Sequence, residues 1–520
     1  MSGGKSVAAA CSRPSILCLQ FLPRQFCEWK SGGATEGQLR HLELEYLPTA
    51  PSQGRGFDIM DFYSLNLAVF VAGNGYLLYR QYQRQQDEVV EELKQEASGA
   101  GYGSDGEAEH QGSLLGTDTK AAARQFQLDY FPVYALAMAA DWLQGPHIYA
   151  IYKYEKNIPE KVVAALYAAG FVSGAISASF AGELADRYGR RLACLTYCVT
   201  YILTCLTMLS DNLFILFVGR FAGGISTTLL YSVFEAWLIT EYHQRGLSQS
   251  KLKLGAIFGN MTTISSVVAI LSGIIGDILV NFLGGRVWPF MASAACSAAA
   301  IMLILKSWKE NYGGLQNSQS SSLADVKSGI QAILANARVV ALGLTVTFFE
   351  GSMYLFVFFW SAALKSARTK AGSTEELPFG LIFSSFMCSM MAGSAFFSLY
   401  TKTHTKETTS LILMIAVLTV SGCLSGAILL EQEQLLFWAL CMIEACIGAY
   451  FPSMSFLKSE VVEDSTRGRV YSLLRLPLNV FVVVAHSLDE EGDGHRNMVF
   501  MTCAALLLAS FFIIKRSFPA

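Results

Sequence analysis

Several ionisable side chains of this chain stand inside long apolar runs, where a charge is costly. Arg presents a rigid fork of N–H donors that suits oxyanions, so Arg220 and Arg475 are candidate anion-binding residues. Buried carboxyl groups can hold a proton, and ionisable groups within a bilayer usually face a cavity. The acidic candidates for coupling or gating are Asp141, Glu235, Glu350 and Glu444. Asp277 and His486 stand nearer the edges of their runs and are not among these candidates.

A structural role is the alternative for these charges. Asp141, Glu350 and Glu444 could form salt bridges with Arg220 and Arg475 rather than handle a substrate or protons. His486 lies near the end of its run, which favours an interfacial side chain. Glu235 also lies near an end, which favours a gate or an interfacial contact.

Composition restricts the class of protein that holds these residues. Of 520 residues, 52% are hydrophobic and only 15% are charged, and the net charge is −3. A soluble multidomain chain carries about 25% charged residues, and a nucleic-acid-binding protein would show a basic excess. The 12 cysteines stand mostly singly in apolar runs, which is typical of packing residues. No catalytic, metal-binding or cofactor-binding string occurs, so we expect neither an enzyme nor a cofactor.

The chain offers thirteen candidate membrane-spanning segments, because a spanning helix needs about 20 mostly apolar residues. One covers 58–79, between an N-terminal extension at 1–57, expected to be disordered, and a polar stretch at 80–124, expected to be a flexible cytosolic linker. A transit peptide is an alternative for the extension. The twelve core segments cover 128–152, 161–181, 191–210, 213–239, 255–281, 288–305, 338–363, 378–400, 409–430, 435–457, 470–487 and 497–514.

The core segments divide into two sets of six. The longest gap, 307–337, separates a predicted bundle at 125–306 from one at 338–520. Charges inside the segments gather in the first, fourth, seventh and tenth, with the eleventh added, and this fits a repeated three-helix unit whose first helix lines a central cavity. Aligning Gly224 with Gly448 places Arg220 opposite Glu444. The fold class is an all-α polytopic membrane protein of two six-helix bundles plus one extra N-terminal helix.

Lys and Arg counts orient the core. The loops after the even-numbered core segments carry about twice as many of these residues as the other loops, which places them and the 307–337 loop in the cytosol.

The string GELADRYGRR stands in the loop between the second and third core segments. Its glycines permit a tight turn and close helix approach, and Asp186 can bond a helix N-terminus or an Arg across the two halves. The spacing resembles the hallmark cytosolic loop of the major facilitator superfamily. The predicted cytosolic latch comprises Gly182, Asp186, Arg187, Gly189, Arg190 and Arg191.

Longer strings point to one branch of that superfamily. They are AADWLQGPHIYAIYKY, VGRFAGG, LLYSVFEAW, LKSWKENYG, FFEGSMYLFVFFW, GLIFSSFM, IEACIGAYFPSMSFLKSE and RLPLNV. In this order they resemble the molybdate-anion transporter family over about 58–520. The resemblance implies a secondary active importer of molybdate, which we expect in the plasma membrane or an organellar one. Protons are a candidate coupling ion, because a buried carboxyl group inside the segments could carry one. Alternatives are a carrier of another oxyanion such as sulfate, and a receptor or scaffold that does not transport.

Overall fold

The computed structural model describes residues 56–99, 108–247, 254–313, 330–331, 333–400, 405–462, 467–488 and 492–518. The chain divides into two compact units, Met1–Asp58 and Ile59–Ala520. Apart from the first turn of one helix, every described helix belongs to the second unit. The expected disorder of the extension and most of the predicted 307–337 loop lie outside the described residues.

Helices account for all the regular structure in the described ranges. Lipid offers no partner for backbone polar groups, so an apolar run satisfies them within its own helix. In chain order the helices are α1 (Gly56–Gly99), α2 (Ala108–Gln144), α3 (Glu160–Ala178), α4 (Ala181–Tyr188), α5 (Arg190–Thr207), α6 (Leu213–Gln244), α7 (Leu254–Leu283), α8 (Trp288–Ser307), α9 (Ala337–Lys370), α10 (Phe379–Tyr400), α11 (Lys406–Leu429), α12 (Glu433–Val461), α13 (Arg467–Ser487) and α14 (Asp493–Ser517).

Each of the thirteen predicted segments coincides with a described helix, although nine of these helices are long and apolar enough to cross a membrane by length and composition. The other four are α1, α2, α5 and α13. Polar residues explain the difference for two of them: Arg190 and Arg191 occupy the first turn of α5, and the apolar part of α13 is limited to Leu473–Ser487. Tertiary packing therefore completes the bundle where hydropathy is weak.

The first core segment is interrupted where α2 ends. A 3₁₀ turn at Gly145–His147, a short helical turn at Ile148–Ala150 and a π-helical turn at Ile151–Glu155 replace the expected continuous helix. Pro146 lacks a backbone N–H and cannot donate to the ladder, which accounts for the break. The irregular segment brings several side chains to the loops at this end of the bundle.

Helix pairing repeats between the two halves. In the first half α2 packs on α7 and α8, α6 packs on α3 and α5, and α5 packs on α8. In the second half α9 packs on α13 and α14, α12 packs on α10 and α11, and α11 packs on α14. Each pair in one half has its counterpart in the other, so the predicted two six-helix bundles are confirmed.

Two glycines mark equivalent positions in this repeat. A Cβ on Gly224 of α6 would lie 2.2 Å from the Gly170 carbonyl oxygen of α3, and a Cβ on Gly448 of α12 would lie 1.9 Å from the Met390 carbonyl oxygen of α10. Only glycine permits such an approach between backbones. In both bundles, therefore, the second and fourth core helices approach each other closely at a glycine, in agreement with the Gly224–Gly448 alignment.

The extra helix α1 packs on the second bundle. Tyr63 donates a hydrogen bond of 2.5 Å to Glu433, which also pairs with Arg368 at 2.7 Å. Near the middle of α1, the Asn74 amide donates to the Cys388 carbonyl at 2.9 Å, and further on Arg84 donates to the Leu399 carbonyl at 2.7 Å. Most of the predicted linker at 80–124 is helical, as the end of α1 and the start of α2; its flexibility stays a prediction.

Candidate functional site

Asp141 of α2 lies between two tyrosines of its own bundle. Tyr201 donates to one carboxylate oxygen at 3.1 Å, and Tyr231 donates to the other at 3.2 Å. Gln144, one turn along α2, donates to the Tyr201 hydroxyl, whereas its own Oε1 is buried with no partner among the described residues. Tyr231 is 56% exposed although it stands in the middle of α6.

Arg220 lies on α6, as Tyr231 does, but it is closer to the N-terminus of that helix. Its guanidinium stands over the Tyr167 ring, 5.4 Å from the centroid, and Nη2 lies 3.1 Å from where a Cβ on Gly170 would stand. Nε is buried without a hydrogen-bond partner in the described part of the chain. Sequence reasoning missed Gly170, whose lack of a side chain makes room for the guanidinium.

Glu350 of α9 is the second-bundle counterpart of Asp141. It is buried and accepts a hydrogen bond of 3.2 Å from Tyr450 of α12, whose ring stacks on Phe349 at 3.9 Å. Lys458 and Arg475 lie close enough to interact electrostatically with this carboxylate. In both bundles, therefore, a tyrosine on the fourth helix bonds the acid on the first helix.

Sequence reasoning also missed Lys458, because it follows the predicted end of its segment by one residue. In the structure α12 continues to Val461, so Lys458 belongs to this helix. Lys458 lies close enough to Arg475 and Glu350 to interact electrostatically with both. The string LKSE contains Lys458, but the predicted segment ended by hydropathy at 457 and left this residue out. Arg475 itself is exposed on α13.

The remaining two acids differ from each other. Glu444 is 5% exposed, and no hydrogen bond or ion pair joins it to another described residue. Glu235 is exposed on α6, nine residues before the helix ends at Gln244. It is next to Ala236, whose carbonyl accepts a hydrogen bond from Arg190. The structure thus separates a buried acid in the second bundle from an exposed one beside the predicted latch.

The alternative of structural salt bridges does not describe this arrangement. Within the described residues, none of Asp141, Glu350 and Glu444 has an oxygen within 4.0 Å of a nitrogen of Arg220 or Arg475. Asp141 still lies close enough to Arg220, and Glu350 close enough to Arg475, to interact electrostatically, so the arrangement is one of longer-range pairs and not of direct salt bridges. Tyrosine hydroxyls take that place for two of the acids. No group of three His, Cys, Asp or Glu residues in the described ranges could hold a metal ion.

His486 is buried between the bundles at the penultimate residue of α13, and its expected interfacial depth stays a prediction. It is 4% exposed, and its Nδ1 lies 2.9 Å from the Val482 carbonyl oxygen. Its ring stands 6.2 Å from Tyr167 of the first bundle and 5.1 Å from Phe358 of the second, measured between centroids. Aromatic rings surround the His486 side chain, and this aromatic cluster closes the bundle on that side of Arg220.

The predicted latch forms a short helix, α4, followed by a turn. Gly189 adopts φ +118°, which only glycine takes readily, whereas a Cβ on Gly182 would meet nothing within 4 Å. The expected tight turn therefore depends on Gly189 and not on Gly182. Asp186 pairs with Arg190 at 2.7 Å, and Arg187 lies against Tyr188 at 5.5 Å.

The latch is held by the segment that follows α8. The Arg190 amide donates to the Asn311 carbonyl at 3.0 Å, and the Gly313 amide donates to the Asp186 carbonyl at 3.2 Å. Glu310 accepts from the amides of Arg191 at 2.7 Å and Leu192 at 3.2 Å, capping α5. These recorded contacts stay within the first half, although Asp186 was expected to bond across the halves. This segment has the sequence KENYG, and its contacts with the latch were not predicted.

Comparisons with known proteins agree with this architecture. A solved structure of a point mutant of the nucleoside transporter NupG superposes with a TM-score of 0.60 at 13% identity, covering 76% of this chain and 99% of that one. A second NupG structure gives a TM-score of 0.54 over the same shares. A family model described as sugar transporters with 12 transmembrane segments matches residues 110–433. The fold is that of the major facilitator superfamily, and the protein is an integral membrane transporter.

Curated relatives narrow the class further. The molybdate-anion transporter of Xenopus tropicalis is 31% identical over 405 residues, which are 76% of this chain and 86% of the relative. That of Danio rerio is 30% identical over an alignment of 436 positions, which covers 76% of this chain and 87% of the relative. The chain belongs to the molybdate-anion transporter family.

Proposed function

We propose that this protein imports molybdate across a membrane by alternating access of its two bundles. The observation that carries the proposal is Arg220, a guanidinium in the transmembrane core with no acidic partner within 4.0 Å in the described residues. Asp141 interacts with it only at longer range, so an anion in direct contact would offset more of the cost of placing this cation in the core. The names of the relatives supply the anion's identity.

The anion would be held by cations from both bundles. Arg220 belongs to the first bundle, and Arg475 and Lys458 to the second. A tetrahedral dianion offers four oxygens, so it can accept hydrogen bonds from two guanidinium groups at once. Tyr167 packs against the Arg220 guanidinium and orients its N–H groups.

The two tyrosine-bonded acids are the candidates for coupling. Asp141 and Glu350 would repel a dianion when ionised, so a proton on one of them favours binding. Each has a hydroxyl that can donate to the carboxylate form, from Tyr231 and Tyr450 respectively. Glu444, buried without a described partner, is the third candidate proton carrier. We propose protons as the coupling ion on this basis.

The described conformation suits an inward-open state. We call the end of the two bundles at which Gly182–Arg191 lie the loop end, and we call the other end of the two bundles the opposite end. At the opposite end the aromatic cluster of Tyr167, Phe358 and His486 joins the bundles, whereas Tyr231 and Glu235 are exposed toward the loop end. With the loop end in the cytosol, as the basic loops predict, the substrate would leave toward the cytosol. The latch at Gly182–Arg191 and Glu235 would then meet the second bundle when the cavity closes on that side. The plasma membrane is the proposed location.

The test is uptake of molybdate at nanomolar concentration in cells that lack their own molybdate importer. Wild type is compared with Arg220→Ala and with Arg516→Ala, which removes an exposed Arg at the end of α14. We expect saturable uptake that resists excess sulfate, is lost in Arg220→Ala and is retained in Arg516→Ala. Uptake abolished by equimolar sulfate would instead identify a general oxyanion carrier. Absence of uptake from protein shown to be in the membrane would favour a receptor and overturn the proposal.

A further inference from the structure

Asp277 is the ionisable residue of α7 that the proposed transport site does not use. It lies six residues before the end of α7 at Leu283 and is 8% exposed. Its carboxylate accepts a hydrogen bond of 3.2 Å from the backbone amide of Gly380. Gly380 is the second residue of α10, in the other bundle. Asp277 therefore caps the N-terminus of a helix to which it is not connected.

The two helices meet at backbone distance around this bond. A Cβ on Gly380 would lie 2.2 Å from the Gly273 carbonyl oxygen, and a Cβ on Gly273 would lie 2.6 Å from the Gly380 carbonyl oxygen. The Ser384 hydroxyl donates to the Ile270 carbonyl at 2.8 Å. Gly273 and Asp277 are four residues apart and so share one face of α7. The cap thus sits at the end of a tight contact between α7 and α10.

Further pairs at the opposite end also join the bundles. Arg286, between α7 and α8, pairs with Glu376, between α9 and α10. The Lys365 ammonium of α9 stands 3.5 Å from the centroid of the Tyr154 ring, which follows α2. By contrast, the recorded bonds of Asp186 at the loop end stay within the first half. Asp277 and Glu376 are thus two acids that reach across the bundles in this conformation, and Asp277 does so by capping a helix.

We infer that Asp277 is a positioning residue that holds the transporter closed at its opposite end by capping α10 from the other bundle. The first amides of a helix have no intrahelical acceptor, and the helix dipole adds a partial positive charge there. A carboxylate stabilises both, so the bond favours the conformation in which α7 and α10 touch. Opening at the opposite end separates these helices and leaves the amide to water. The inference rests on the proposed alternating access.

The experiment measures the distance between the bundles at the opposite end. Spin labels are introduced with an unnatural amino acid at Leu209 and Thr374, two exposed positions in loops of different bundles, so that the native cysteines stay in place. Pulsed electron spin resonance in lipid nanodiscs compares wild type, Asp277→Ala and Asp277→Asn. The control is Asp211→Asn, which removes an acid at the same end whose ion pair with Lys156, at 2.7 Å, stays within the first half.

We expect Asp277→Ala to increase the long-distance population about tenfold, since it removes a charge-assisted hydrogen bond and the charge–dipole attraction together. Asp277→Asn retains an acceptor oxygen, so its increase should be smaller, and Asp211→Asn should match wild type. If Asp277→Ala fails to fold, Asp277→Asn carries the test.

Two outcomes distinguish a failure of the inference about Asp277 from a failure of the proposed function. A wild-type protein that changes distance on addition of molybdate, beside folded Asp277 variants with the wild-type distribution, would overturn the role of Asp277 and leave the proposed function standing. A single fixed distance in every variant, with and without molybdate, would overturn alternating access itself.

Discussion

Tyr167 lies between Arg220 and His486: the Arg220 guanidinium stands 5.4 Å from the centroid of its ring, and the His486 ring is stacked 6.2 Å from it at an interplanar angle of 18°. Arg220 and Tyr167 belong to the first bundle and His486 to the second. The candidate anion site and the aromatic contact that closes the opposite end therefore share one side chain. An anion that moves Arg220 would act directly on that contact.

Arg220→Lys should impair transport although it keeps the charge. Lysine is a point charge that cannot present the planar fork, and its ammonium does not stack on Tyr167 as a guanidinium does. We expect the apparent KM for molybdate to rise by about tenfold or more, corresponding to about 1.4 kcal/mol, because one charge-assisted hydrogen bond is lost. Uptake kinetics measure this. Wild-type KM in the Lys variant would show that charge alone suffices and would contradict the bidentate role.

Gly448→Ala should destabilise the second bundle. The added methyl group would lie 1.9 Å from the Met390 carbonyl oxygen, so α12 and α10 would have to separate. Overpacking of this kind costs about 1–3 kcal/mol and more where backbone must move. Gly426→Ala is the matched control, since a Cβ there would meet nothing within 4 Å. Thermal unfolding in detergent compares the two, and equal midpoints would contradict the close approach.

Much of this architecture is predictable from the sequence. Apolar length located all thirteen segments, and the position of acids in the first helix of each three-helix unit located Asp141 and Glu350. The tyrosines that bond these acids were not predicted, because the contact of Tyr231 with Asp141 spans 90 residues and depends on helix rotation. The burial of His486 was not predicted for a related reason: hydropathy reports depth along a helix and not the direction a side chain faces. Lys458 was lost at a segment boundary, which is the least reliable part of such a prediction.

Glu310→Ala should destabilise the loop end of the first bundle. The Glu310 carboxylate accepts from two amides at the start of α5 and stands against Gly189, so its loss leaves those amides without an acceptor. Removal of a helix cap costs about 1–2 kcal/mol. We expect a lower unfolding midpoint together with faster proteolysis next to Gly189. Glu407→Ala, at the exposed first turn of α11, is a control with the same charge change. A midpoint equal to that of the control would contradict the capping role.

Glu350→Gln separates anion binding from coupling. In the wild type the Glu350 carboxylate interacts with the positive charges of Lys458 and Arg475, and it would compete there with a dianion. The neutral amide removes this competition, since two like charges in a partly dry cavity repel each other by more than about 1 kcal/mol. Gln remains a partner for the Tyr450 hydroxyl, so the packing of α9 on α12 should be retained. We therefore expect tighter equilibrium binding of molybdate, by about three- to tenfold, in detergent-solubilised protein.

The same variant should lose accumulation driven by a proton gradient. Glutamine cannot take up and release a proton, so substrate would still exchange between the two sides but would not be concentrated. Proteoliposomes test this with an imposed pH gradient, and counterflow exchange without a gradient measures the retained movement. Glu407→Gln, which neutralises an exposed acid outside the cavity, should behave as wild type in both assays. Gradient-driven accumulation by Glu350→Gln at the wild-type level would exclude Glu350 as the coupling acid and direct the search to Asp141 and Glu444.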